Sequence, residues 1–379
     1  MSIKVYHLIK SLGRGGAEML LPETLRVHDR EAFTFRYGYF LPHKGQVAED
    51  LRGLDAPVDC FGATGNPAIL LKAREVAKVI QEWGADVIHC HLPIAGVVGR
   101  VVSRLTGIPV VYTEHNTQER YHFLTRRLNL FTLGWNARIV ACSDDVKRSI
   151  HDFTGWPDTR VLSLQNGVNT DRFSREADGA SPPPPELLPY IDRTIIGTVC
   201  VFRTQKRLHH WVDLAHRLYQ KQPDLHFIIV GDGPEEEALR RQIAELGMED
   251  AFTLPGRLSE VRPWLKAMDI YLMTSAFEGL PIAMMEAMSM ELPVVATSAG
   301  GIGEAVRSGK DGLLRPVEHW EELEGDLERL VSDPQLRQSM AASARQRVID
   351  RFSIRRMTVK LEEVYREAAA ALITATDDR

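Results

Sequence analysis

Four consecutive prolines at positions 182–185 constrain this chain most, because such a run fits neither a helix interior nor a central strand. The surrounding segment, SREADGASPPPPELLPYIDR, reads as a break near the middle of the chain. On either side of it, short β-branched runs alternate with amphipathic helical stretches, the pattern of an α/β protein with parallel sheets. The candidate strands are KVYHLI, TFRYGYF, DVIHC, PVVYTE and RIVACS before the break, and TIIGTVCVF, HFIIVG, FTLPG, DIYLMTS and PVVATS after it. A length of 379 residues with 44% apolar side chains suffices for about two domains. The expected division is a first domain over 1–175, a Pro-rich linker over 176–192, a second domain over 193–352 and a closing helix over 353–379 packed back on the first domain.

A formal net charge of −5 argues against a generic nucleic-acid binder, which needs a basic face to meet phosphates. Cys60, Cys90, Cys142 and Cys200 are far apart and lie mostly in apolar runs, so they read as buried, reduced thiols with no disulfide framework. The N-terminal MSIKVYHLIKSLGRGG is a strand entering a Gly-rich turn rather than a signal peptide, and no stretch is apolar enough to span a bilayer. The expected location is therefore the cytoplasm. Residues 100–148 hold eight basic residues against four acidic ones, and YHFLTRRLNLFTLGW within them mixes aromatics, leucines and an Arg pair. That segment reads either as a helix packed on its own core or as a peripheral surface for anionic lipid or a lipid-linked acceptor.

In open parallel sheets ligands bind beyond the carboxyl ends of the strands, where helix N-termini present backbone N–H groups to anions. Four such strand ends follow the Pro run: VCVFRTQKR, GDGPEEE, SAFEGLPIAMME and ATSAGGIGEAV. In the third, Glu278 and Gly279 fall in the turn, Pro281 suits a first helical position, and Glu286 lies roughly 8 Å along the helix. A phosphate held by N–H groups near Gly279 and Leu280 would leave an attached ribose within reach of Glu286. The alternative is a loop acid followed by a solvated helix acid.

The succession GRGGAE, DVIHCH, PVVYTEHN, VACSDDVKRSI, NGVNTDRF, VGDGPEEEAL, EGLPIAMMEAM and GGIGEAVRSGKDGLL resembles glycosyltransferase family four. The likeness covers nearly the whole chain, and EGLPIAMMEAM carries the family's E-x7-E signature. It implies the GT-B architecture: two Rossmann-like domains with parallel sheets facing a central cleft. It also implies a retaining, metal-independent hexosyltransferase without a cofactor. That enzyme moves a sugar from a nucleotide-sugar, UDP-linked by preference or GDP-mannose, to a glycan, lipid-linked or small-molecule acceptor in bacterial polysaccharide or glycoconjugate synthesis. By resemblance Glu278 faces the donor sugar, Glu286 the ribose, Lys206 the diphosphate, and His115 the transferring sugar or the acceptor. Gly279, Leu280 and Pro281 form the phosphate turn, and Gly15 and Gly16 close over the diphosphate from the other domain.

Family members commonly carry an Arg where this chain has Val201. Arg203, two residues on, points to the same side of an extended segment and is the candidate replacement. Other readings differ in reaction class. A nucleotide-sugar epimerase or hydrolase would use the two Glu as acid and base, a glycosidase would have no use for the phosphate turns, and a nucleotide-binding subunit would lack catalysis altogether. A dinucleotide dehydrogenase is disfavoured because GRGGAE lacks the full G-x-G-x-x-G. His89 and His91 flank Cys90 as a zinc set would, but in a strand the two His share a face that Cys90 does not. The Ser-Asp-Asp at 143–145 is similar to the metal-binding D-x-D of another glycosyltransferase architecture, yet Ser143 reads as a helix N-cap followed by dipole-complementing acids.

Overall fold

Strands covered on both faces need nearly continuous apolar sequence, and the runs on either side of the prolines supply it. In the computed structural model, which describes residues 2–177 and 182–377, they build two sheets in two separate units. The first unit comprises Met1–Gly167 with Ile354–Arg379. Its strands are β1 (Ile3–Ile9), β2 (Phe33–Tyr39), β3 (Val58–Cys60), β4 (Val87–His91), β5 (Val110–Glu114), β6 (Arg138–Ala141) and β7 (Val161–Ser163). They lie in the order β3-β2-β1-β4-β5-β6-β7, with every pairing parallel.

The second unit, Val168–Ser353, holds β8 (Thr194–Val199), β9 (Leu225–Val230), β10 (Phe252–Gly256), β11 (Ile270–Met273), β12 (Val294–Thr297) and β13 (Gly312–Arg315). Its order is β10-β9-β8-β11-β12-β13, again all parallel. Each sheet is doubly wound. Strand order reverses between β1 and β4 in the first unit and between β8 and β11 in the second, and these reversals are where crossovers leave a crevice for ligands.

The chain enters the second unit at Val168, ahead of the Pro-rich stretch rather than within it. Side-chain anchoring explains the early crossing. Arg175 donates to the carbonyls of Met290, Lys266 and Met268, and Ser289 Oγ donates to the Phe173 carbonyl at 2.6 Å. After the prolines, Pro185–Tyr190 forms a short 3-10 turn whose Leu187 is buried in that unit's core.

The closing helix, Ile354–Asp377, belongs to the first unit. Glu362 accepts from His28 Nδ1 at 2.9 Å and from the Asp29 N–H at 3.0 Å, and Tyr365 is fully buried among Phe33, Phe35 and His89. A ring so placed contributes on the order of 2–3 kcal/mol. The four cysteines remain thiols, but not all are buried as expected: Cys90 and Cys142 are, Cys200 is half-buried, and Cys60 is exposed. Cys60 ends β3, which is the sheet's outermost strand and has a neighbour on only one side.

Candidate active site

In the second unit, Lys206 comes from the loop after β8 and Glu278 from the loop after β11, so each stands beside the point where strand order reverses. Their side chains meet. Lys206 Nζ lies 2.5 Å from Glu278 Oε1, and Ser275 Oγ donates to the same oxygen at 2.6 Å. Both are largely covered, with 17% and 11% of their side chains exposed. Burial disfavours the Lys206 charge, but the Glu278 carboxylate outweighs it and holds the ammonium pKa above its usual value. Burial pushes the neighbouring Cys200 thiol up to about 12, so it stays protonated. The pair therefore offers a fixed cation, with Glu278 Oε2 as an acceptor that carries no hydrogen bond among the described residues.

Backbone ties hold the two loops in register. Thr274 Oγ1 donates to the carbonyls of Lys206 and Arg207, each at 3.0 Å, and the Ala276 N–H donates to Gln205 at 2.8 Å. Arg207 has φ of 51°, a left-handed conformation that a non-glycine residue adopts only when its surroundings enforce it. Arg203 is the N-cap of the 3-10 turn Thr204–Lys206 and is exposed, and its charge opposes that of Lys206 without an acidic partner among the described residues.

The helix after Glu278 spans Ile282–Ser289 with Pro281 as its N-cap, so it starts one residue later than expected. Glu286 is then four residues into the helix, about 6 Å along it, half-buried and close enough to Tyr271 to add slightly to the rise in pKa that burial causes there. Gly279 is half-buried, while Leu280 and Pro281 are buried. Gly301, from the loop after β12, presses on this turn: a Cβ there would lie 1.9 Å from the Gly279 carbonyl oxygen. The glycines of GDGPEEE serve the neighbouring loop. Gly231 and Gly233 have φ of 137° and 153°, and a Cβ on either would strike the Cys200 or Phe202 carbonyl.

In the first unit, the loop after β1 leads to Gly15, the N-cap of the helix Gly16–Val27. Glu18 folds back over this terminus: a Cβ at Gly15 would lie 2.5 Å from its carboxylate oxygen, which complements the helix dipole. His115 follows β5 and is 8% exposed. Its backbone N–H donates to buried Glu114, which also accepts from Tyr112 Oη at 2.7 Å, Gln118 Nε2 at 2.8 Å and Tyr121 Oη. Burial raises the Glu114 pKa against these bonds. Beside it, fully buried Arg100 donates to Asn129 Oδ1 and Thr132 Oγ1.

In the sequence His89 and His91 stand together and His7 and His115 stand apart, whereas the structure joins His115, His91 and His7 in one chain. His115 Nε2 lies 3.2 Å from His91 Nδ1, and His91 Nε2 lies 3.0 Å from His7 Nδ1. His89 sits between the hydroxyls of Tyr365 and Thr113, each at 2.7 Å. Burial lowers the pKa of all four, to about 3 for His89 and about 4 for His115, so the rings are neutral at neutral pH. Leu92, immediately after His91, has φ of 68°, a second enforced left-handed residue at a strand end.

His7, His89 and His91 bring ligand atoms within 4.8 Å of one another, a grouping that the single strand VIHCH did not reveal. Among the described residues every ring nitrogen in it except His7 Nε2 already has a partner, so the donor set fits a metal poorly. At Ser143, Oγ accepts from the Val146 N–H with Asp144 and Asp145 in the first turn, the arrangement of a helix start. A cavity of about 480 Å³ lies at the amino ends of β8 and β11, lined by Thr194, Ile195 and Asp269, at the opposite sheet edge from Lys206 and Glu278.

Two doubly wound parallel sheets, one per unit, with a charged pair where strand order reverses, are the GT-B fold of α/β proteins. Residues 184–347 match the model of glycosyl transferases group 1, and residues 26–172 match that of glycosyltransferase family 4. The chain belongs to this group 1 and family 4 set of glycosyltransferases. Alpha-D-kanosaminyltransferase of Streptomyces kanamyceticus is 24% identical over 97% of this chain and 99% of its own. The UDP-Gal:alpha-D-GlcNAc-diphosphoundecaprenol alpha-1,3-galactosyltransferase of Escherichia coli is 23% identical over 76% of this chain and 77% of its own. Among solved structures, Anabaena HepE in complex with UDP-glucose superposes with a TM-score of 0.83 at 22% identity, covering 96% of this chain and 99% of that one.

Proposed function

We propose that this glycosyltransferase is a retaining, metal-independent enzyme using a UDP-sugar. The observation carrying the reading is the largely covered Lys206–Glu278 pair beside the β8/β11 reversal. A leaving nucleoside diphosphate develops negative charge, and a pre-placed ammonium beside helix N–H groups stabilises it without reorganisation. In this reading Lys206 neutralises the diphosphate, aided by Arg203 in place of the Arg absent at Val201, while the turn Gly279-Leu280-Pro281 supplies further contacts. Glu278 Oε2 accepts from the sugar hydroxyls, Glu286 from the ribose, and His115 contacts the sugar or acceptor. The acceptor oxygen bonds to the anomeric carbon on the face from which the diphosphate departs, and its proton passes to the leaving phosphate.

HepE, solved with UDP-glucose, and the Escherichia coli relative, named for UDP-Gal and a diphosphoundecaprenol-linked acceptor, favour a UDP donor and a glycan or lipid-linked acceptor in bacterial glycoconjugate synthesis. Thermal unfolding with UDP, GDP, ADP and CDP tests the donor. A nucleotide at a hundred times its Kd adds about 2.7 kcal/mol of stability, so UDP is expected to raise Tm above the other three. A rise with GDP alone would move the donor to a GDP-sugar, and no rise with any of them would remove the donor-site reading.

No helix among the described residues is long and apolar enough to cross a membrane. The helix Phe123–Leu133 nevertheless leaves Phe123, Leu124 and Phe131 53%, 65% and 79% exposed beside Arg126 and Arg127, which favours peripheral contact with anionic lipid on the cytoplasmic side. The protein is expected to float with anionic liposomes at low salt and to lose that binding in Phe131→Ser. Equal flotation with neutral vesicles, or none with either, would discard the contact.

A further inference from the structure

The histidine chain has a property that follows from counting protons. Three neutral rings, His115, His91 and His7, carry three ring protons, and two of these occupy the two ring-to-ring links. The third must sit at one end: on His7 Nε2, which is buried without a partner among the described residues, or on His115 Nδ1, at the less deeply buried end. The links are coupled, so the choice at one end sets the tautomer of all three rings.

His28 in the same unit shows which end the surroundings favour. Its Nδ1 lies 2.9 Å from Glu362, whose carboxylate is held ionised below its usual pKa partly by this bond. An ionised carboxylate only accepts, so His28 donates from Nδ1 and keeps Nε2 as a bare lone pair, buried without a partner. This core already holds one imidazole in that state, while an orphaned buried N–H is the rarer arrangement in proteins. By the same rule His7 donates from Nδ1 to His91, and His91 donates from Nδ1 to His115.

We propose that His7 and His91 are positioning residues that fix the tautomer of His115, leaving its proton on Nδ1 so that it meets a sugar oxygen as a hydrogen-bond donor and not as a base. The role toward sugar rests on the reading that His115 lies at the transfer site; the tautomer itself does not. Glu114 fixes the backbone at this point and the chain fixes the ring, so the two networks orient His115 by separate means. A metal would use the same bare lone pair on His7 Nε2, and the test separates the two.

The experiment is histidine ring 15N NMR of the full-length protein, with the His115 signals assigned by their loss in His115→Gln. The wild type is expected to show one tautomer, protonated Nδ1 and unprotonated Nε2. His7→Phe keeps the ring packing against Tyr37 but removes the donor to His91, so the His115 signals shift toward a tautomer mixture. Nucleotide-sugar turnover then falls roughly five-fold in kcat with KM little changed. His7→Asn, whose amide N–H takes the place of Nδ1, restores both. A His115 proton on Nε2 in the wild type overturns the proposal, as does a tautomer indifferent to His7→Phe, or stoichiometric metal whose removal changes the His7 and His91 signals. If no nucleotide-sugar is turned over at all, the 15N result still decides the tautomer, and the transfer-site reading fails separately. Should His7→Phe not fold, the wild-type spectrum and His7→Asn decide the matter.

Discussion

Lys206→Ala is expected to lower turnover of the matching nucleotide-sugar by about 10²–10³-fold, the loss typical of removing one donor aimed at a developing oxyanion. The effect exceeds that of deleting a surface lysine for two reasons. The ammonium is held charged in a largely covered position, so it works where water screens it little. Its removal also leaves the Glu278 carboxylate with only the Ser275 hydroxyl, facing the diphosphate it formerly helped to balance. Lys206 and Glu278 therefore act as a unit, and Lys206→Ala combined with Glu278→Gln should cost much less than the product of the single losses. Arg203→Ala gives the comparison. If Arg203 supplies the contact absent at Val201, its loss lowers turnover about ten-fold; turnover unchanged in Arg203→Ala beside an inactive Lys206→Ala would show that the position is simply unfilled. Unfolding of each variant, followed by circular dichroism, separates lost chemistry from lost fold.

How much of this was legible in the sequence depended on how local the signal was. The central strands announced themselves because burial on both faces demands apolar, β-branched runs, and ten such runs coincide with ten of the strands to within three residues at each end. The three missed, β3, β7 and β13, are strands of three or four residues at or near sheet edges, where VDC, VLS and GLLR are too short to show a pattern. The division at Gly167 was hidden behind the prolines because what fastens the following segment is a set of long-range bonds from Arg175 and Ser289 to distant parts of the chain. In the site, Glu278 and Lys206 could be named one by one, but their contact spans 72 residues and depends on β8 lying beside β11. The histidine chain was further out of reach. His7 meets His91 across 84 residues, and only the pairing of β1 with β4 brings them together. A usable signal existed nonetheless: imidazoles within or directly after three strand segments, KVYHLI, VIHCH and VVYTEH, are polar groups carried toward a buried sheet and must find partners, and one another's ring nitrogens are within reach.

The second large effect is expected at a residue that carries no side chain. Gly301 sits in ordinary right-handed helical geometry, with φ of −67°, so alanine is acceptable to its backbone. What excludes alanine is the Gly279 carbonyl oxygen, 1.9 Å from where its Cβ would stand. That obstacle is backbone, not the flexible end of a side chain, so Gly301→Ala must push the loop after β12 away from the turn that follows Glu278. A carbon and an oxygen need more than 3 Å, so the shift is on the order of 1 Å, and displacement of that size near reacting groups costs about 10²-fold in rate. Overpacking should lower stability by about 1–3 kcal/mol without unfolding the protein. Gly303→Ala is the internal control, because its Cβ would meet only Ser298 Oγ at 3.5 Å, an ordinary contact. Turnover and Tm measured on both variants decide the matter. Loss confined to Gly301→Ala makes the GGIG loop a clamp on the Glu278–Pro281 turn, whereas equal activity in the two variants means that the turn tolerates displacement and that its backbone N–H groups do not hold the diphosphate.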